Sequence, residues 1–168
     1  MCAARADPAT HLWCARMRCN DPPDGWTRKG AAELAERYGF LRTAGGGHNL
    51  DKFMPPALFE DHPEYFCEVD GKRVKDVNRA QLCFSNLDGA RVVGREAVRM
   101  LGELPWLPDS LSIKHEDNTT LCECAACRKD IVLPDGRTVA ATDQNFRSTQ
   151  FFIWNNEVMK TIRPAYPG

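Results

Sequence analysis

The stretch from residue 110 to residue 127, SLSIKHEDNTTLCECAAC, constrains the fold of this chain more than any other. Leu111 and Ile113 alternate with polar residues, as in a short buried strand, and the polar cluster 115–118 follows at once. In parallel α/β folds, functional side chains lie beyond the carboxyl ends of the strands. We therefore expect a strand that delivers acidic side chains to a functional loop.

The remainder of the chain alternates strand and helix patterns. The sequence predicts strands at 11–18, 81–84 and 110–115, and helices at about 27–39 and 88–104. Ser85 or Asn86 is expected to cap the helix at 88–104, and Asp143 or Ser148 the last helix. The apolar face of that last helix is expected to hold Phe151, Phe152, Trp154, Val158, Met159 and Ile162. A small hairpin is expected at 66–74, and a second hairpin or an ordered loop at 131–140. This order predicts a single α/β domain in which parallel strands alternate with helices.

Charge and hydropathy exclude several classes of partner. The 168 residues include 22 Lys and Arg against 23 Asp and Glu, for a net charge of -1, so nothing favours nucleic acid or an anionic membrane. No apolar run approaches the roughly 18 residues that span a bilayer, and the N-terminus lacks the apolar core of a signal peptide. The composition favours a neutral ligand.

Several short motifs carry a resemblance to a known family: His48-Asn49, HPEYF at 62–66, QLCFSN at 81–86 and the EDN and CxCxxC run at 116–127. They resemble the bacterial domain of unknown function found in the barrel part of glycoside hydrolase-like proteins, which are relatives of alpha-glucuronidase-like TIM barrels. The similarity is strongest over residues 45–127. It implies a (β/α)8 barrel that acts on or binds polysaccharide, in a family that is often exported.

The resemblance covers only part of such a barrel. It implies a partial TIM barrel that lacks the later strands, with small hairpin insertions. An open parallel edge exposes unpaired backbone groups, so we expect this edge to favour self-association. A truncated, inactive fragment is the alternative that follows from the same observation.

The candidate catalytic residues are Asp117 and Glu116. Glycoside cleavage needs a carboxylic acid that protonates the leaving oxygen and a second group that attacks or activates water. Asp117 ranks first because it matches the Asp-Asn pair of the resembled family, and Glu116 stands beside it. Polar residues at loops and predicted strand ends are the expected substrate-binding groups: His48, Asn49, Asn118, Arg18 and Asn86.

The CxCxxC motif at Cys122, Cys124 and Cys127 is the sharpest pattern in the chain. Three thiolates can hold a structural zinc ion if Cys83, Cys67, Cys19 or His115 supplies a fourth ligand. A Cys122–Cys127 disulfide and reduced packing thiols are the two alternatives. In each case the cysteines shape the loop that holds Asp117.

Together these features predict a glycoside hydrolase-like domain that uses carboxylate acid and base catalysis and requires no cofactor for the chemistry. The alternative is a non-catalytic carbohydrate-binding or metal-stabilised structural module. Four aromatic side chains can stack on a sugar if they are exposed, although burial in the core is the expected place for each of them and Trp26 is the best candidate for exposure: Trp13, Trp26, Tyr65 and Trp106.

Overall fold

The computed structural model describes residues 43–104, 108 and 110–166, all within the unit Thr43–Gly168. The strands are β1 (Thr43–Ala44), β2 (Glu68–Val69), β3 (Lys72–Arg73), β4 (Ser110–Leu111), β5 (Ile131–Val132) and β6 (Thr138–Val139). The α-helices are α1 (Leu50–Phe53), α2 (Leu87–Gly102) and α3 (Phe146–Ile162). Short 3-10 turns occupy Pro56–Phe59, Pro63–Tyr65 and Ala125–Arg128. The strand predicted at 11–18 and the helix at 27–39 lie outside the described residues.

β1 and β4 pair in parallel, with Thr43 opposite Ser110 and Ala44 opposite Leu111. The Ser112 amide continues the ladder by donating to the Ala44 carbonyl at 2.9 Å. The strand predicted at 110–115 is therefore present but shorter. The strands of the described ranges do not close into a barrel, so the partial TIM barrel stays a prediction.

Both predicted hairpins are confirmed. β2 and β3 are antiparallel around Asp70 and Gly71, which adopt φ values of 50° and 72°. β5 and β6 pair in the same way around the turn that contains Gly136. Glycine suits these turns because a left-handed backbone costs it little.

The strand predicted at 81–84 is wrong. Leu82 forms only an isolated antiparallel bridge with Phe66. The Gln81 amide donates to the Thr120 carbonyl, whereas the Cys83 amide donates to the Tyr65 carbonyl. Because successive backbone groups bond to different segments, no continuous ladder forms here.

α2 begins where the sequence predicts, since the Asn86 side chain accepts the Gly89 amide at 2.9 Å. α3 begins after its N-cap Asn145, so both predicted N-caps are wrong: Asp143 lies two residues before the N-cap and Ser148 lies inside the helix. The Asp143 side chain instead accepts the Asn145 amide at 2.7 Å.

α2 and α3 pack against each other over the hydrophobic core. Their buried positions recur every three or four residues, as one face of a helix requires. Trp154 of α3 is fully buried, and its ring meets Phe84 edge to face at 5.3 Å. Phe152 and Met159, which the sequence assigns to the same apolar face, are instead 61% and 36% exposed.

The helices within the described ranges are too short or too polar to cross a membrane.

Candidate metal centre and ligand groove

The loops that follow β1 and β4 meet at the carboxyl end of this parallel pair. Asn49 joins them from a fully buried position. Its Nδ2 donates to the Ser112 carbonyl at 2.7 Å, and its Oδ1 accepts the Lys114 amide at 2.8 Å. The amide side chain thus continues the strand pairing where the backbone ladder ends, and Asn49 is a positioning residue rather than an exposed ligand contact.

The glycine loop, by which we mean Gly45-Gly46-Gly47, precedes His48 and Asn49 and approaches β4 closely. Gly45 has φ of 76°, and a Cβ added there would lie 2.6 Å from the Ser112 carbonyl oxygen. Glycine is therefore required at this position for close approach to another backbone segment.

His48 and Asp117 face each other across the same two loops. His48 Nε2 lies 3.8 Å from Asp117 Oδ2, and the Asp117 side chain is 90% exposed. His48 Nδ1 is 2.8 Å from the His115 carbonyl oxygen, which can only accept, so Nδ1 carries a proton. This leaves Nε2 of His48 directed towards the carboxylate.

Glu116 points the other way, into the protein. It is 4% exposed, and its Oε1 accepts the Asp51 amide at 3.0 Å. The buried Gln81 side chain holds the surrounding backbone. Its Oε1 accepts the Glu116 amide at 3.0 Å, and its Nε2 donates to the carbonyls of Glu116 and Asn118 at 2.7 and 2.9 Å. The two adjacent acids therefore do not share one cleft.

A groove of about 460 Å³ lies beside this edge, between the loop after β4 and the first turns of α3. Among the described residues, three phenylalanine rings and several polar side chains line it, and none of these side chains is a carboxylate. The lining residues are Gln81, Phe84, His115, Asn118, Thr119, Leu121, Arg147, Ser148, Phe151 and Phe152. It combines apolar ring surface with hydrogen-bonding groups, as small-molecule sites do.

Four buried cysteines, Cys83, Cys122, Cys124 and Cys127, bring their sulfur atoms within 4.8 Å of one another. Cys83 Sγ lies 3.7 Å from Cys124 Sγ and 3.6 Å from Cys127 Sγ. Zinc bound to four thiolates at about 2.3 Å in a tetrahedron places its sulfurs about 3.8 Å apart. The tetrad, by which we mean these four cysteines, thus has the dimensions of a metal site.

The structure selects among the alternatives for these cysteines. Cys83 completes the tetrad, whereas His115 lines the groove and Cys19 lies outside the described residues. The five cysteines of the described ranges are free thiols, so the alternative Cys122–Cys127 disulfide is not formed. Cys67 is buried beside the tetrad but does not belong to it.

Hydrogen-bond donors surround the tetrad. The Glu68 amide donates to Cys122 Sγ at 3.3 Å, and Arg73 Nη1 approaches the same sulfur at 3.9 Å. Such donors stabilise negative charge on sulfur and orient metal ligands. The Cys127 thiol, in contrast, donates to the Ser85 hydroxyl oxygen at 3.1 Å.

The thiols interact strongly with one another. The pKa of Cys122 lies below its ordinary value, because the thiols of Cys127, Cys67 and Cys83 hydrogen-bond to its sulfur. The pKa of Cys127 is raised, first by its hydrogen bond to Cys122 and then by the bond to Cys83. The cluster therefore favours a thiolate at Cys122.

Arg147 of α3 connects the tetrad with the groove. Its Nη1 donates to the backbone carbonyls of Cys122 and Cys127, both at 3.2 Å. The same side chain lines the groove. The conformation of the cysteine loop and the position of one groove side chain are thus linked.

The other predicted site residues lie in varied places. Asn86 caps α2, and Asn118 Oδ1 accepts the Thr120 amide at 3.1 Å in the loop that flanks the groove. Tyr65 is buried, with its ring stacked on His62 at 4.7 Å. Four predicted residues lie outside the described ranges: Arg18, Trp13, Trp26 and Trp106.

Asn118 is the groove residue that the sequence predicted to bind substrate. Most of the other lining residues were not predicted as site residues, among them Gln81, Arg147 and Phe152. A polar residue at the start of an apolar QLCF segment was the available signal for Gln81. Phe151 and Phe152 are adjacent in a helix, so they cannot both face the same core, and this was the signal for an exposed ring.

Comparison with known proteins identifies a family for nearly the whole chain. At the level of individual proteins, no curated protein and no solved structure matches. The sequence profile of the family described as Domain of unknown function (DUF4838) matches residues 8–168. The chain therefore belongs to the family Domain of unknown function (DUF4838).

Proposed function

We propose that the chain is a glycoside hydrolase-like domain of TIM-barrel type that acts on carbohydrate at the carboxyl end of β1 and β4. The observation that carries this proposal is the meeting of His48 and Asp117 on loops that follow two neighbouring parallel strands. Barrel enzymes assemble their active sites at this edge from residues of different strands. The resemblance of the 45–127 motifs to glycoside hydrolase-like proteins supports the same assignment.

Asp117 is the proposed general acid. Its exposed carboxyl group can reach a glycosidic oxygen, and His48 Nε2 faces Oδ2 while Nδ1 donates to the His115 carbonyl. His48 returns a proton to Asp117 only from its doubly protonated form, because in the neutral ring the proton stays on Nδ1 and Nε2 is an acceptor. Glu116 positions the loop, since its carboxylate is buried against the Asp51 amide. The second reacting group then comes from the substrate itself or from outside the described residues.

The proposed metal is a structural zinc ion held by the tetrad. Four cysteines complete a tetrahedral site and leave no ligand position open, as in structural rather than catalytic zinc centres. The ion would add stability to a loop that contains little regular structure and would fix the Arg147 contacts. A metal-stabilised structural module is the second candidate function, and the tetrad is the observation that favours it.

Hydrolysis of a panel of aryl glycosides, N-acetylglucosaminides and glucuronides by the purified chain tests the catalytic proposal. We expect activity above background that falls at least about 100-fold in Asp117→Asn, which is the range for loss of a general acid. Asp135→Asn, in the β5–β6 turn, is the matched control and keeps full activity. No hydrolysis by the folded chain would overturn the catalytic proposal and leave the structural module.

A further inference from the structure

The groove beside the His48–Asp117 pair is open on one side and has an unusual aromatic residue at its rim. Phe152 is 61% exposed, although it lies on the helix that carries the core residue Trp154. Its ring meets that of Phe151 at 5.9 Å, and Phe151 in turn meets Phe84 at 5.0 Å. The rings form a connected aromatic wall that runs from the core to the surface.

Polar groups oppose this aromatic wall. His115 Nδ1 is 3.0 Å from the Glu116 carbonyl oxygen and donates to it, so Nε2 of the neutral ring is an acceptor. The described hydrogen bonds of Arg147 use only Nη1, to the carbonyls of Cys122 and Cys127 and to Gln150. The hydroxyls of Thr119 and Ser148 add groups that both donate and accept.

A pyranose ring has one apolar face of C–H groups and a rim of hydroxyls that donate and accept. The wall and the polar groups match these two sides, and about 460 Å³ accommodates a single sugar ring with its substituents. The described residues that line this groove include no carboxylate, so they are suited to holding a sugar rather than to cleaving one.

We propose that the groove is a sugar-binding subsite in which Phe152 stacks on the apolar face of a pyranose while His115, Thr119 and Ser148 bind its hydroxyls. This inference rests on the proposed carbohydrate function and names the part of the site that holds the sugar. It places the subsite next to the proposed acid, because His115 both lines the groove and binds His48 through its carbonyl.

Binding of neutral hexasaccharides of the gluco, xylo, manno and N-acetylglucosamine series, measured by calorimetry on the full chain, tests the subsite. We expect at least one series to bind, and we expect Phe152→Ala to weaken its affinity about two- to tenfold, which corresponds to the free energy of one aromatic contact. Phe152→Trp keeps the affinity. Val132→Ala, which shortens another exposed apolar side chain on β5, is the control without effect.

The outcomes separate the subsite from the catalytic proposal. Binding that depends on Phe152 without hydrolysis supports the subsite and overturns catalysis by Asp117. Hydrolysis that depends on Asp117, with the same KM in Phe152→Ala as in the original chain, overturns the subsite and leaves the catalytic proposal standing. Absence of binding to all four series overturns the subsite, as does binding that Phe152→Ala leaves unchanged.

Discussion

Cys83 Sγ and Cys127 Sγ lie 3.6 Å apart, although the two residues are separated by 44 positions in the sequence. Cys83 lies two residues after Gln81, whose side chain hydrogen-bonds to the loop after β4. Cys127 lies in the 3-10 turn Ala125–Arg128. A bond of both sulfurs to one metal ion would therefore tie together two segments that carry little regular hydrogen bonding of their own. This cross-link is the main structural role that we assign to the tetrad.

Removal of one tetrad cysteine tests this role. We expect Cys127→Ser to lose the bound metal and to lower Tm by about 10 °C or more, because metal binding contributes directly to folding free energy and each kcal/mol moves Tm by about 2–4 °C at this size. Cys67→Ser is the matched control, a buried cysteine beside the tetrad, and keeps the metal. Metal content by mass spectrometry and calorimetry measure both effects, and equal behaviour of the two variants would contradict the assignment.

The glycine loop offers a test of the close approach between β1 and β4. Gly45→Ala should lower the unfolding free energy by about 1–3 kcal/mol, because alanine would be strained at φ of 76° and its Cβ would meet the Ser112 carbonyl oxygen at 2.6 Å. At Gly46 a Cβ meets nothing within 4 Å, so Gly46→Ala should be neutral or slightly stabilising. Urea unfolding compares the two, and a similar loss in both would rule out this explanation.

Gln81 holds the loop that carries Glu116 and Asn118 through three hydrogen bonds. Gln81→Ala should cost about 2 kcal/mol or more, since it leaves a buried amide and two carbonyls without their partner. Gln144→Ala, at an exposed glutamine before α3, provides the control. Equilibrium unfolding measures the difference in unfolding free energy. A Gln81→Ala variant as stable as its control would show that the hydrogen bonds of Gln81 do not contribute to stability.

The ion pairs of Glu157 predict a pH dependence. Its pKa lies below the ordinary value, first because Lys160 bonds to its carboxylate and second because Arg91 does. A lowered folded-state pKa gives stability that is present above the ordinary pKa and lost as pH falls through the folded value. The stability difference between the original chain and Glu157→Gln should therefore be larger at pH 7 than at pH 3 in thermal unfolding. An identical difference at both pH values would contradict the prediction.

Local sequence patterns predicted the elements that depend on neighbouring residues. Asn86 capped α2 as expected, and the Asp70-Gly71 turn placed the β2–β3 hairpin. Each of these features is fixed by short-range hydrogen bonds and backbone conformation, so it can be inferred from a few adjacent residues.

Features that depend on distant contacts were harder to predict. The segment 81–84 has the composition of a strand, but its amides bond to residues 65 and 120, which the sequence does not place beside each other. Glu116 is buried and Asp117 is exposed, although the two acids are adjacent in the sequence. Residue type alone does not reveal this difference. Cys83 was one of four alternatives for the fourth metal ligand, and only the tertiary fold brings it to the CxCxxC loop.

X-ray absorption at the zinc edge, on protein purified without added metal or chelator, tests the central claim that the tetrad is a structural zinc site. We expect one zinc ion per chain, with four sulfur ligands at about 2.3 Å and no oxygen or nitrogen in the inner shell. A metal-free chain that is folded and fully stable would contradict a structural zinc site. Zinc bound through nitrogen or oxygen ligands would contradict it equally, because the four sulfurs of the tetrad leave no place for them.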